Sequence, residues 1–520
     1  MATKFSGGKV LLGSGSFSNE ICVSDSGQVI STEAFYQREI QEFVELNGGI
    51  LLPAFRDGHA HPLFAGREAK GLSISHCQTE AEILSALKEH NALNPELNWI
   101  DGAVYNNAIE ATFTRQTLDG VLGHIPVVLH GNDHHSLWVN TKALEIAGIL
   151  TRSKAFGDVA GIDRDEEGLA TGILREWPAM RLVLDLAPEK TLEEDLECLV
   201  WADKALASAG LVEAYDAWID PGMAETYLAA ADQGLISLSY KLCFRADPVT
   251  FQQDLKYIKG MRSAINQRAQ LDGNSIKFFV DGVFGNATAM VSVPYESNGS
   301  NGSPTWEESA LKESIEQANA EGFQIHVHAI GDAALSLALS ILEAIPRESL
   351  NYRPVLIHAE LTTTDLIKRI KNLDAIACVQ PYWAQYDGML NSCRQHLGQE
   401  RLSNLYSFRE MLDNKVNLAF SSDWPVSTYE PLQAISVAVN RRSTEEQIRH
   451  NPNQAISLME ALQAYSNGVV AMRSTSTIQV LTIGSEFDAV ILDKDIFTLE
   501  GLELNSAKVL ATYKSGKQIF

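Results

Sequence analysis

Leu51-Leu52-Pro53-Ala54-Phe55-Arg56-Asp57-Gly58-His59-Ala60-His61 is the stretch from which the rest of this chain is read. Its apolar run predicts a buried strand over 51–57, followed by two histidines separated by one residue. Residues i and i+2 of an extended segment point to the same side, so the imidazoles of His59 and His61 can converge on one point. Neutral imidazole suits a divalent transition metal. Gly58 allows close approach of the backbone. An H-x-H pair also arises by chance, so a metal site needs further ligands at the ends of later strands.

Outward from this stretch, strand-like runs alternate with helical periodicity. Seven further strands are predicted, over 211–216, 236–244, 276–281, 324–328, 354–358, 375–380 and 416–421. Amphipathic helices over 307–320, 333–344 and 364–371 fall between them. Eight strands alternating with helices predict a parallel sheet closed as a (β/α)₈ TIM barrel. Residues 62–208 break the rhythm and form a long insertion after strand 1, read as a lid or substrate-recognition element. Both chain ends are short apolar runs with Gly, Ser and Asn turns; at the C-terminal end these include 477–482, 487–492 and 509–513. Residues 1–50 and 470–520 are therefore expected to pair into a small, discontinuous β-sandwich-like domain beside a barrel domain of 51–469.

The totals narrow the function classes. The 520 residues are 45% hydrophobic and 21% charged, a globular composition. A net charge of −25, from 41 basic and 66 acidic residues, argues against a nucleic-acid partner. Six cysteines, Cys22, Cys77, Cys198, Cys243, Cys378 and Cys393, are scattered without a C-x-x-C pair, which points to reduced thiols and a cytoplasmic location. No signal-like core and no run of about 18 apolar residues occurs, so no membrane span is expected. Neither G-x-S-x-G nor G-x-G-x-x-G after a strand is present, which sets aside serine-hydrolase and nucleotide-cofactor readings. A small-molecule substrate fits these exclusions; self-association is compatible with them.

The later strand ends supply what the first one needs. Lys277 lies in strand 4, His326 and His328 end strand 5, His358 ends strand 6, and Asp423 follows strand 8. With these residues the chain resembles the amidohydrolase superfamily, and most closely the branch called amidohydrolase family 3, which includes N-substituted formamide deformylases. The resemblance lies in P-A-F-R-D-G-H-A-H at 53–61, N-D-H-H-S-L-W-V-N-T-K-A-L at 132–144 and K-F-F-V-D-G-V-F-G at 277–285. H-V-H-A-I-G-D at 326–332, I-H-A-E at 357–360 and S-S-D-W-P-V at 421–426 complete it. Ala54 and Arg56 depart from the family pattern, on the side of the strand turned away from the histidines.

The resemblance implies a divalent metal centre of one or two ions, with zinc the expected metal. His59 and His61 would bind the more buried ion, His328 and His358 the more exposed one, and Asp423 the buried ion and the water. Lys277 stands where many relatives carry a carbamylated lysine; an ammonium has no lone pair to donate, whereas a carbamate is an anionic oxygen ligand. An ordinary lysine paired with Asp281 or another carboxylate is the alternative. The implied reaction is hydrolysis of a C–N, amide-like bond other than a peptide by metal-activated water, with Asp423 as proton shuttle. Deamination or ester hydrolysis at the same site, or a non-catalytic metal-binding regulator, are the rival readings. Asp133, His135, Glu176, His326 and Trp383 are candidate substrate contacts. Each has a structural alternative: a turn, a salt bridge or simple core packing. Asn140 and Thr141 are candidate caps in the insertion, and Asp332 a candidate cap of the helix from 333.

Overall fold

The computed structural model describes residues 2–132, 134–151, 161–443, 448–473 and 480–520. The chain divides into two compact units, Met1–Pro62 with Leu199–Phe520, and Leu63–Cys198.

The first unit contains an eight-stranded parallel sheet whose strands follow one another in chain order. They are β1 (Phe55–Ala60), β2 (Leu211–Ile219), β3 (Ser239–Arg245), β4 (Leu271–Phe279), β5 (Gln324–Ala329), β6 (Val355–His358), β7 (Ile376–Val379) and β8 (Asn417–Phe420). The two edges meet just beyond β8: Asp423 N donates to His59 O at 2.8 Å, and His61 N donates to Trp424 O at 2.7 Å. The sheet is therefore a nearly closed barrel, as the alternation predicts. Its interior is filled by Tyr215, Cys243, Val355, Ile357, Ile376, Cys378 and Ala419, drawn from five strands. Helices Glu308–Ala320, Asp332–Ala344 and Thr364–Leu373 occupy the predicted positions between strands. Asp332 is not the cap of its helix. Gly331 takes that place, and the Asp332 carboxylate accepts from Ser292 N at 2.9 Å.

The single strand expected over 51–57 is two strands. Ile50–Pro53 pairs antiparallel with Ala489–Leu492 and parallel with Lys9–Leu11, outside the barrel. The exchange takes place at Ala54: its N–H donates to Asp488 O at 3.0 Å, and the next N–H, of Phe55, donates to Gly210 O at 3.0 Å. Asp488 also fixes the base of β1 through Arg56 Nη2 at 2.5 Å, and accepts from Ser515 N at 2.8 Å. A six-stranded sheet thus joins both chain ends, with a four-stranded sheet of Val29–Ile30, Ile21–Val23, Ala2–Ser6 and Gln41–Glu45 beside it. Phe5, Val10, Leu51, Phe487 and Ile491 form the core of these sheets. All of these strands belong to the same compact unit as the barrel. Half of the run expected over 477–482 lies outside the described residues, and its remainder, 480–482, is not in a strand.

The second unit has its own five-stranded sheet, in the order Ile162–Arg164, Ala170–Arg175, Ser136–Val139, Val127–Gly131 and Ile100–Tyr105. Trp138, Phe113 and Tyr105 lie in its core. Asn140 caps the helix Thr141–Ile146 by accepting from Ala143 N at 3.0 Å. No helix among the described residues is long and apolar enough to cross a membrane. All six cysteines are free and buried.

Gly58 sits where β1 meets the barrel interior. A Cβ there would stand 2.7 Å from Cys378 Sγ and 3.1 Å from Met472 Sδ. Gly58→Ala is expected to lower stability by about 1–3 kcal/mol through overpacking. A thermal unfolding midpoint equal to that of the parent would show that the two sulfur side chains yield.

Candidate metal centre

At the carboxyl end of β1, the side chains of His59 and His61 turn to one carboxylate. Asp423 Oδ1 lies 3.1 Å from His59 Nε2 and 3.0 Å from His61 Nε2. Asp423 takes this position with a left-handed backbone, φ +56°. Asp57 ties the end of β1 to the segment after β8: its Oδ1 accepts from His59 N at 3.1 Å and from Ser422 N at 3.0 Å. Burial raises the Asp57 carboxyl to about 6, although these hydrogen bonds oppose it.

His358 reaches the same place by a break in strand geometry. Val355 and Ile357 face the barrel interior, so regular alternation would turn His358 outward. Its φ of +71°, followed by +44° at Ala359, turns the ring back. Left-handed backbone at a residue with a Cβ costs roughly 1–2 kcal/mol, and such strain persists where the surroundings over-determine it. Here the surroundings are specific. His358 Nδ1–H donates to Gln380 Oε1 at 2.9 Å, Gln380 Nε2 donates to Ser421 Oγ at 2.8 Å, and the ring stacks on Trp383. With Nδ1 so engaged, Nε2 carries the lone pair.

His59, His358 and Asp423 offer ligand atoms that all lie within 4.8 Å of one another. His61 joins them through Asp423 Oδ1. His328, from β5, stands beside His358 with ring centroids 4.5 Å apart, and its Nε2–H donates to Gly282 O at 3.3 Å. Donors bound at 2.0–2.2 Å around one ion are about 3.3–3.5 Å from each other, so this set fits a divalent transition metal. The electrostatics agree. Burial holds the imidazoles of His59 and His358 well below their ordinary pKa, against the opposing pull of Asp423. Burial alone would raise Asp423, but His59, His61 and His358 outweigh it and keep the carboxyl well below the usual range.

Lys277 is fully buried, with Nζ 3.4 Å from His59 Nε2 and 4.7 Å from the centroid of the Phe279 ring. Burial lowers its pKa to about 8, against the opposing charge of Asp423. It forms no ion pair with Asp281, whose carboxylate accepts from the N–H groups of Met290, Ile330 and Gly331.

The remaining candidates separate. His326 is level with Lys277 in register, but its nitrogens turn down the barrel axis, Nε2 to Gln324 Oε1 at 3.2 Å and Nδ1 to Cys243 Sγ at 3.9 Å. Trp383 is buried behind His358. His135 and Glu176 meet at 2.7 Å within the second unit, Glu176 with φ +63°. Asp133 lies outside the described residues. Asp57, Gln380 and Glu360 were not singled out as site residues from the sequence. Asp57 could have been found, as it falls two before His59 and four before His61. Gln380 and Glu360 carry no local signal beyond their places at strand ends. Glu360 is buried, accepts from Tyr406 Oη–H at 2.9 Å, and is raised by burial to about 8.

Residues 42–520 match the model of the amidohydrolase family. N-substituted formamide deformylase of Arthrobacter pascens is 26% identical over 489 residues, 91% of this chain and 89% of that protein. Protein LONG AFTER FAR-RED 3 of Arabidopsis thaliana is 28% identical over 499 residues, 92% of this chain and 83% of that protein. In fold, the chain is similar to an uncharacterized metal-dependent hydrolase from Pyrococcus horikoshii OT3, with a TM-score of 0.77 and 23% identity over 96% of this chain and 99% of the other. The match of residues 42–520 means that the chain belongs to the amidohydrolase family, whose membership implies metal-dependent hydrolysis.

Proposed function

We propose that this hydrolase cleaves a C–N bond in an amide-like small molecule, with Asp423 carrying the proton from the attacking water to the departing nitrogen. The observation that carries the reading is the meeting of His59 Nε2 and His61 Nε2 on Asp423 Oδ1, at 3.1 and 3.0 Å. A divalent ion, zinc by the preference of imidazole and carboxylate donors, supplies polarisation of the substrate carbonyl and acidification of water. His59, His61, His328 and His358 would hold it, with Asp423.

The chain's own groups do the rest. Asp423 is kept ionised by its imidazole neighbours, so it is ready to accept a proton. Amines leave poorly as anions, so the same carboxyl returns that proton to the nitrogen as the C–N bond breaks. Lys277, with a pKa lowered to about 8 by burial, gives up its proton far more readily than an ordinary lysine. The lone pair of the free amine would add to the carbon of CO₂ with loss of one proton, turning a buried neutral amine into an anionic oxygen donor.

The test is a panel of amides, aminated rings and esters offered to zinc-loaded enzyme. Amides should yield a carboxylate and an amine. Ammonia release without a carboxylate product would move the assignment to deamination. Chelation should abolish turnover and zinc should restore it; turnover that survives complete metal removal would reject the reading.

A further inference from the structure

The four-stranded sheet near the start of the chain ends on an uncovered strand. Gln41–Glu45 is its outermost member and, among the described residues, pairs only with Ala2–Ser6, in parallel. Ala2 N donates to Ile40 O at 3.1 Å and Leu46 N donates to Ser6 O at 2.7 Å, so the even-numbered residues bond inward. The N–H and C=O groups of Gln41 and Phe43 then face outward, as at any sheet edge. Large apolar side chains stand open beside them: Tyr36 is 56%, Ile40 64% and Phe43 61% exposed. Phe43 is held in place, its ring edge-on to buried Phe35 at 5.5 Å, and Phe35 packs on Tyr36 at 5.2 Å. Glu42 lies on the opposite face, where Thr3 Oγ1–H donates to its Oε2 at 3.2 Å.

An uncovered strand flanked by apolar side chains is a template for another strand. Charge decides which kind. Glu33, Glu39, Glu42 and Glu45 are all exposed on this strand and the segment leading into it, and none forms an ion pair with a described residue. The two cations nearby are already taken, Lys4 by Glu20 at 2.6 Å and Arg38 by Asp25 at 3.5 Å. A second copy would bring these carboxylates against themselves, in a chain of net charge −25, and like charges across adjoining strands oppose pairing. A strand with lysine or arginine on the Glu42 face and aliphatic residues on the Phe43 face meets opposite charge on one side and apolar surface on the other. We infer that Gln41–Glu45 is a docking edge for a basic, extended segment of a partner protein, added to the sheet through main-chain hydrogen bonds. This surface is independent of the reaction at the metal centre.

The test is fluorescence anisotropy of a labelled synthetic peptide alternating lysine and valine, titrated with the full chain. A second peptide of the same charge has its central valine replaced by proline and cannot complete the ladder. Wild type should bind the first at least about tenfold more tightly, the scale of one or two hydrogen bonds. Phe43→Pro removes an N–H that faces outward, leaves the pairing with Ala2–Ser6 in place, and should abolish that preference. Should that variant misfold, Glu39→Lys with Glu42→Lys should weaken binding of the alternating peptide about tenfold. The same reversal at exposed Glu308 and Glu313, on the barrel helix Glu308–Ala320, should not. Equal binding of the two peptides by wild type, a preference unchanged in Phe43→Pro, or equal losses from the two charge reversals overturns the assignment. So would wild-type dimers in sedimentation velocity that Phe43→Pro dissociates, since a second copy would then hold the edge.

Discussion

Asp423→Asn should keep most of its metal and lose roughly 10²–10⁴-fold in turnover, the usual contribution of a positioned proton-transfer group. The amide oxygen of asparagine can still sit where Oδ1 lies, 3.0–3.1 Å from His59 and His61, so the ligand cluster keeps its shape. What disappears is the negative charge and the capacity to take up a proton. Metal per chain, measured by elemental analysis beside the turnover number at saturating substrate, separates the two effects. Normal turnover would remove Asp423 from proton transfer. Metal and activity falling in equal proportion would make it a ligand only.

Lys277→Met should cost metal and turnover together, by a factor comparable to the loss at Asp423. Methionine fills the same buried volume but cannot become an oxygen donor. The wild-type amine lies 3.4 Å from His59 Nε2 and forms no ion pair with Asp281. Intact-mass measurement under native conditions offers an independent check, since wild type should carry the added mass of one carbon dioxide and the variant should not. A wild-type mass without that increment, in active metal-loaded enzyme, would leave Lys277 as an unmodified amine and shift the ligand role to the histidines and Asp423.

Much of the barrel was legible because its strands are buried on both faces and so read as continuous apolar runs. Placing His59, His61, His328, His358 and Asp423 at strand ends needed only their positions within those runs. Three features escaped that reading, each for a physical reason. The 51–57 run looks uniform in hydrophobicity, yet Ala54 hands the chain from one sheet to another, a choice made by partners more than 150 residues away at Gly210 and Asp488. His326 shares strand and face with His328 but lies one layer deeper, where its neighbours are Gln324 and Cys243. His358 points inward only because its backbone leaves strand geometry, and residue types do not announce a positive φ at a histidine. The supports Gln380 and Tyr406 become visible only once the strands are closed around them.

The junction at Ala54 has a practical consequence for anyone handling this protein. Asp488 bonds Ala54, Arg56 and Ser515 at once, so the final hairpin is bolted to the base of the strand that presents His59. Trimming or fusing cargo at the tail is therefore not a neutral edit. A truncation ahead of Asp488 frees the root of β1, and the first symptom to look for is leakage of metal from an otherwise folded enzyme.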